Sequence, residues 1–441
     1  MPPETAISPA DTARAVRDSL PKDGLFANME WRTSTRPFSL GAKQAKEIEK
    51  LGRVFLQFYR AVNLLYRKSV EGKQPAWVAE WLERGKPAEM IELQRTRSLK
   101  NEMPRVIRPD LLLTDKGFSV TELDSVPGGI GLTAWLNQAY TRTGADVLGG
   151  AAGMLDGFAK IFGEAKEIHV MVSEESAAYR PEMDWIASQI QTRNIQVHDT
   201  EFQDFQEGDA VYRFFELFDL ANVACSKKLF KLAIDGKIQL TPPPKTYFEE
   251  KMLFALLWNR NLAEFWRQEL GGRFFETLKS ITPYTWVVDP EPLPPHGAIP
   301  EINLTDWHQL KTLSQKQRDL ILKVSGFSES AWGARGVYLG SDLSTEDWSQ
   351  AVDDAIRSAR QSPSVLQRFH KPKRVEAEWF DFEANETRIM PARARICPYY
   401  FVSGEGDQAR AKLGGALATL CPADKKIIHG MTDAALAPCS A

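Results

Sequence analysis

The chain is poor in the residues that build metal knuckles and disulfide frameworks. Among 441 residues there are four cysteines, Cys225, Cys397, Cys421 and Cys439, widely separated and with no C-x-x-C pair. That spacing excludes a thiolate zinc cluster and a disulfide scaffold and makes a reducing compartment the expectation. An excess of one charge is also missing, since 55 Lys and Arg stand against 58 Asp and Glu for a net charge of −3. No global field draws such a chain to nucleic acid or to an anionic membrane, so any anion site must be assembled locally. Long hydrophobic runs are absent as well. No stretch reaches the roughly 18 apolar residues of a bilayer span, and the start, MPPETAISPADTARAVRD, lacks a basic region followed by an apolar core. A cytoplasmic protein with no nucleic-acid or membrane partner is expected. The six histidines are scattered without Ser/His/Asp order or zinc spacing, and His429 in IIHGMTD reads as structural.

What is present is ample material for several cores. Hydrophobic residues make up 43% of the chain, with 12 Trp and 23 Phe, and the length calls for two or three packed units. From Ala42 to Trp81 apolar residues recur at three and four, which predicts a mainly helical first hundred residues. A strand pair follows Arg105, then helices over Leu132–Tyr140 and Ala151–Phe162. IHVMVS, a helix near Pro181–Ile190 and IQVHDT read as the strand–helix–strand unit of an open α/β layer without a G-x-G-x-x-G turn. TPPPK at Thr241–Lys245 marks a boundary, because consecutive prolines suit neither helix nor interior strand. An apolar helix, FEEKMLFALLWN, comes next, and DPEPLPPHGAIP is a second rigid connection. Beyond it are the strands LILKV, GVYLG and SVLQRF, a helix from near Thr345, and short strands over Val375–Val402. The expected partition is 1–164 with the strand pair, 165–245 as the α/β unit, and 246–441.

The strand pair IRPDLLLTDKGFSVTELDSVPGG carries the clearest local chemistry. Asp115-Lys116-Gly117 suits a three-residue hairpin loop, with Gly117 in the left-handed position. Centring the hairpin on Lys116 sets Asp110 opposite Glu122 and Arg108 opposite Asp124, all on one face because side chains alternate with period two. Like charges directly opposite cost roughly 0.2 to 1 kcal/mol per pair. A hard cation reverses that sign, and Mg²⁺ prefers oxygen ligands from one or two carboxylates plus substrate phosphates. A solvated hairpin face with an ordinary Arg–Asp pair would read the same way.

A second constellation lies in LILKVSGFSESAWGARGVYLG. An apolar strand ends near Lys323, and a loop with Gly326, Ser328, Ser330, Gly333 and Gly336 precedes the next strand. Small residues permit close backbone approach and leave amides free for phosphate oxygens, while a strand lysine supplies a fixed charge. This is no Walker loop, since G-K-[ST] is missing and a strand follows. The plainer alternative is a long hairpin loop beside a snorkelling lysine. Lys251, within the apolar helix, and Gln367, on SVLQRF, are single features that surface residues would share. Gly128, Gly129 and Gly131 suit either an anion-binding helix start or a tight turn. Arg393 and Arg395 on PARARICPYYF suit either an anion site or a basic strand surface.

Taken together, these residues resemble the ATP-grasp ligases of the glutathione synthetase and glutathionylspermidine synthase type, whose permuted chain places metal-binding strands before phosphate-binding lysines. The family pattern R-x-D, about a dozen residues, then E-x-N, is met here by Arg108-Pro109-Asp110 and Glu122-Leu123-Asp124. The resemblance implies an α/β fold of α+β lobes, with a helical N-terminal region and an open α/β substrate-side unit. It assigns Mg²⁺ to Asp110, Glu122 and Asp124, the transferred phosphate to Arg108, and the ATP phosphates to Lys251 and Lys323. Ser328, Ser330, Gly333 and Gly336 become the lid, Gln367 the residue beside adenine, and Glu329 a further metal candidate. Two departures stand out, Asp124 in place of the family Asn and a lid loop of different length and composition. Glu383-Ala384-Asn385 is a true E-x-N, but no R-x-D precedes it at a suitable spacing. The implied activity is an ATP- and Mg²⁺-dependent ligase joining a small-molecule carboxylate to an amine. The alternatives are a non-catalytic or regulatory ATP-binding protein and a phosphotransferase.

Overall fold

The computed structural model describes residues 7–21, 31–291, 293, 297–331, 335–426, 428 and 433–441. Gly333 and His429 lie outside the described residues. Three sheets organise the described residues. The largest has eight strands, running Arg32–Thr33, Ala435–Ser440, Arg410–Pro422, Glu386–Ser403, Val106–Thr114 and Gly117–Asp124. Arg374–Asp381 also pairs with Glu386–Ser403, and Phe38–Ser39 pairs with Ala435–Ser440. The acidic hairpin is therefore the outer part of a sheet whose remainder comes from the far end of the chain. Where the sequence suggests short strands over Val375–Val402, Glu386–Ser403 is one strand of 18 residues. Its alternation breaks at a register shift between Tyr399 and Tyr400, which shortens the visible pattern.

A four-stranded antiparallel sheet follows the order Val337–Leu339, Leu320–Val324, Ser364–Arg368 and Thr285–Val287. Leu320, Leu322, Leu366 and Trp286 pack from it into an apolar cluster with Trp348. Ile321, Lys323, Val365 and Gln367 occupy the other face by alternation. The third sheet is parallel, in the order Asn194–His198, Glu167–Val172, Ala210–Phe214 and Gln239–Thr241.

The 29-residue helix Ala42–Val70 is the hub of the main core. Its buried stripe, Leu51, Val54, Phe55, Phe58, Tyr59, Val62 and Leu65, follows the helical period and meets Phe254, Trp266 and Tyr400. Each such burial contributes about 1.5–3 kcal/mol. Close approach to the large sheet requires Gly52, where a Cβ would lie 2.6 Å from the Tyr400 ring. Helix Ala263–Ile281 packs against the same stripe through Phe265, Trp266 and Leu270.

One expected helix is shortened. In FEEKMLFALLWN a 3₁₀ turn covers Thr246–Glu249 and the α-helix begins only at Leu253, so Lys251 sits in the turn before it. The cause is tertiary, because all three charged residues of this turn are drawn into ion pairs with other parts of the molecule.

Candidate active site

The hairpin reaches its register by an unexpected route. Thr114 pairs directly with Gly117, so the loop has two residues, Asp115 and Lys116, instead of three. A turn of that length would displace the carboxylates by one position. A bulge corrects it, for Asp110 pairs with Glu122 while Leu111 pairs with Val120, leaving Thr121 as the extra residue. Arg108 then faces Asp124, as alternation requires.

Arg108 ties the floor of the site together. Its Nε lies 3.1 Å from Asp110 Oδ1 and its Nη2 lies 3.0 Å from Asp124 Oδ2, while Nη1 donates to the Gly128 carbonyl at 3.1 Å. Burial works against its charge, but Asp110 and Asp124 overcome this and hold the guanidinium well above its usual range. Arg395, on the neighbouring strand, places Nη1 3.3 Å from Asp110 Oδ2, and the Cys397 thiol donates to Asp110 Oδ1 at 3.4 Å. Arg393 stays outside this group and donates to the Lys425 carbonyl. Asp124 also accepts from Val126 N at 2.8 Å, yet burial raises its pKa above the ordinary carboxyl value despite Arg108.

Both lysines act on Glu122. Lys323 Nζ donates to the carbonyl of the bulged Thr121 at 2.9 Å and to Gln367 Oε1 at 3.1 Å. Burial lowers it to about 8, with Glu122 acting in the opposite direction. Gln367 donates in turn to Thr285 Oγ1 at 3.0 Å and is 2% exposed, so it orients Lys323 from behind. Lys251 Nζ lies 2.8 Å from Glu122 Oε1 and donates to the Ala331 carbonyl at 2.7 Å. Burial would raise the Glu122 pKa, but Lys251 and Lys323 outweigh it and keep the carboxyl below its usual value. Each ammonium has three protons, and two are committed in each case.

The Gly/Ser loop lies across Lys251. A 3₁₀ turn at Glu329–Ala331 delivers the Ala331 carbonyl to it. Ser328 Oγ accepts from Ser330 N at 3.2 Å, and Gly336 accepts from Val324 N at 3.1 Å, which closes the loop base. Glu329 is exposed and paired to Arg335 at 2.5 Å, which also reaches Glu175 at 2.7 Å, so its carboxylate serves the loop surface. Glu383-Ala384-Asn385 occupies an exposed turn at the hairpin tip after Arg374–Asp381.

The α/β unit closes the remaining side with the carboxyl ends of its parallel strands, the edge where open sheets bind ligands. Ser176, Tyr179, Phe214 and Glu216 line a cavity of about 390 Å³ together with Arg108, Asp110, Glu122, Asp124, Lys251, Lys323 and Arg395. Its apolar lining includes Leu112, Ile321, Val337 and Phe369. Burial, then Glu249 and Asp124, push the Glu216 carboxyl well above its usual range. Gly128, Gly129 and Gly131 turn out to serve this docking. A Cβ on Gly128 would strike the Tyr179 ring at 2.3 Å, and one on Gly131 would meet Glu182 O at 2.6 Å. The amides of Gly129, Gly131 and Leu132 are taken by the buried Glu182 carboxylate at 2.7, 3.0 and 3.2 Å. The helix start is therefore capped by the protein itself.

Asp110, Glu122 and Asp124 share one cavity, but among the described residues no three His, Cys, Asp or Glu side chains converge into a ready metal cage. Arg108 stands between Asp110 and Asp124, and Glu122 is the accessible carboxylate, with 40% of its side chain exposed. Sequence reasoning missed Glu216 and the parts played by Thr121 and Tyr179. Glu216 had one available signal, its place two residues beyond the end of a parallel strand.

No family model matches the chain, and no curated protein does. Among solved structures, a glutathione synthetase-like effector, GSS30, from Globodera pallida in its apo form superposes with a TM-score of 0.57 at 12% identity, covering 98% of this chain and 97% of that one. A chain from Methylobacillus flagellatus, provisionally described as a gamma-glutamylcysteine synthetase, gives a TM-score of 0.40 at 11% identity over 82% of this chain and 87% of that one, too distant to carry weight. The fold is thus glutathione synthetase-like, of the ATP-grasp type.

Proposed function

We propose that the protein is an ATP- and Mg²⁺-dependent ligase that joins a carboxylate to an amine. One observation supports this above the others: Arg108, Arg395, Lys251 and Lys323 face Asp110, Glu122 and Asp124 in a single cavity, each charge held by an opposite charge or a carbonyl. The donor set suits Mg²⁺ only in part. Its protein ligands are all oxygens, as a hard cation prefers, but Arg108 and Lys251 occupy positions that a full protein cage would need. Such a set fits an ion shared with nucleotide phosphates, with Asp110, Glu122 and Asp124 as its protein side. ATP with Mg²⁺ supplies a phosphoryl group that converts a poor acyl donor into a reactive one.

The chain's own residues then have defined tasks. Lys251 and Lys323 hold phosphate oxygens with their uncommitted protons, and Arg108 neutralises charge on the group in transfer. Leu112, Ile321, Val337 and Phe369 supply apolar lining for the base. Ser328, Ser330 and Gly336 cover the reaction and keep water from the acyl phosphate. In the first step a carboxylate oxygen of the acid bonds to the terminal phosphorus as the bond to ADP breaks. In the second the amine nitrogen bonds to the acyl carbon, phosphate leaves, and the nitrogen gives up a proton.

Release of ADP and phosphate that requires both an acid and an amine, with a product of their combined mass less water, is the expected result. Nucleotide binding without turnover over broad acid and amine mixtures would favour the non-catalytic reading. A phosphorylated acceptor that accumulates as final product would identify a phosphotransferase.

A further inference from the structure

Lys86, Glu250 and Ser325 form a polar junction outside the cavity that none of the steps above uses. The side chains of Lys86 and Glu250 are wholly inaccessible and Ser325 is fully buried. Lys86 Nζ donates to Glu250 Oε1, and Ser325 Oγ donates to Glu250 Oε2. Ser325 is fixed on its other sides too. Its hydroxyl accepts from Met252 N at 2.9 Å, its carbonyl accepts from Lys251 N at 3.0 Å, and its amide donates to the Pro363 carbonyl at 2.8 Å. Withdrawing two charges from water costs several kcal/mol per ion, and an apolar pair of the same shape is often at least as stable. Stability alone therefore gives little reason for an ion pair at this place.

The backbone around it is equally constrained. Lys86 comes from the turn after helix Ala76–Glu83, where Gly85 has φ +72° and a Cβ would lie 1.7 Å from the Gln361 carbonyl oxygen. Arg84 in the same turn pairs with Asp289 at 3.3 Å. The turn is thus wedged against segments flanking two strands of the lid-side sheet. At the other end, Gly326 begins the Gly/Ser loop so close to the neighbouring turn that a Cβ would lie 2.6 Å from Glu249 O and 2.8 Å from Glu250 Cδ.

We infer that Lys86 is a positioning residue, which through Glu250 and Ser325 fixes the root of the Gly/Ser loop against the Lys251 turn. The N-terminal helical region thereby sets the distance between a phosphate-binding lysine and the lid. The effect on nucleotide rests on the ATP site proposed above, whereas the coupling of the two segments does not.

The test uses the full chain. Lys86→Met alone would strand the Glu250 charge, so the informative variant is Lys86→Met with Glu250→Gln, which removes both charges together. In the nucleotide-free protein, amide exchange over 249–254 and 325–331 is expected to rise in both segments by about tenfold or more, while the melting temperature stays within a few degrees. The Kd for Mg-ATP is expected to rise about tenfold, and kcat, where turnover is measured, to change by less than about threefold. A folded double variant with unchanged exchange, or with faster exchange in one segment only, overturns the inference. Should the double variant not fold, Ser325→Ala cuts the same link with both charges kept and is read by the same two measurements. A wild-type chain that binds no nucleotide would defeat the ATP reading and leave the exchange result to decide the coupling.

Discussion

On the acidic hairpin, Arg108, Asp110, Glu122 and Asp124 point one way. On the turn before Leu253, Glu249, Glu250 and Lys251 point three ways. Alternation along two paired strands gathers the first group on one face and into one cavity. The second group is consecutive, so its side chains diverge. Glu249 pairs with Arg213 of the α/β unit at 2.6 Å, Glu250 with Lys86 of the helical region, and Lys251 with Glu122 of the hairpin at 2.8 Å. The hairpin concentrates charge in the cavity proposed to hold a ligand, and the turn distributes it among the units it joins. Losing a hairpin charge should therefore damage chemistry first, and losing a turn partner should damage assembly first.

Arg108→Met is the strongest way to break that contrast. It strips Asp124 of its one ion-pair partner among the described residues, while Asp110 still meets Arg395 and the Cys397 thiol. Turnover of the proposed ligase is expected to fall by about 10²–10³-fold, the range typical for a group acting only on charge in transfer. Melting should show a chain that is still folded at 25 °C. Arg213→Met is the counterpart on the turn. Arg213 is fully buried, and without it the Glu249 carboxylate keeps the Leu217 amide at 3.1 Å. A denaturant titration should show about 3–5 kcal/mol of lost stability. Turnover per folded molecule should remain within about tenfold of the parent, since Arg213 touches neither lysine. Equal stability losses in the two variants would dissolve the distinction.

The same contrast governs what could be read from sequence. Period-two spacing made the pairing of Arg108 with Asp124 and of Asp110 with Glu122 legible, even though the loop length behind it was misjudged. Two errors cancelled there, a residue too many in the loop and an unforeseen bulge at Thr121. Nothing in VTELD announces a bulge, because it has no glycine and a Thr side chain suits a strand. The turn was illegible for the opposite reason. FEEKMLFALLWN has the composition of a helix, and ion-pair partners distant in sequence, Arg213 at 36 residues from Glu249 and Lys86 at 164 from Glu250, with Glu122 on the hairpin, hold its first turn out of one. The contacts of Gln367 with Lys323 and Thr285 were illegible too, since they run across two strand pairings.

Lys323 gives a pH test of the cavity side. Its folded pKa of about 8 lies below the ordinary lysine value, so the folded state disfavours its charge. Below pH 8 the ammonium is charged in both folded and unfolded chains and its burial cost is fully present. As pH rises from 8 toward 10.4 the folded state sheds this proton first, and the contribution to stability grows. Phosphate holding runs the other way, because it requires the ammonium. Calorimetry is expected to show the nucleotide Kd rising about tenfold from pH 7 to 9.5, as one charge-assisted contact is lost. Lys323→Arg should flatten that rise. A flat wild-type profile would remove Lys323 from the phosphate site.

The smallest expected effect sharpens the boundary between cavity and surface. Sequence placed Glu329 six residues beyond Lys323 as a further metal candidate. Its side chain is 71% exposed and bound to Arg335, whose other arm is already held by Glu175 at 2.7 Å. Exposed pairs of this kind contribute about 0–1 kcal/mol. Glu329→Gln should leave the Mg²⁺ concentration for half-maximal turnover within about twofold of the parent, whereas Glu122→Gln removes the accessible cavity carboxylate and should raise it by about tenfold or more. Both variants keep the side-chain volume, so a shift in the first and none in the second would move the metal site from the hairpin to the loop.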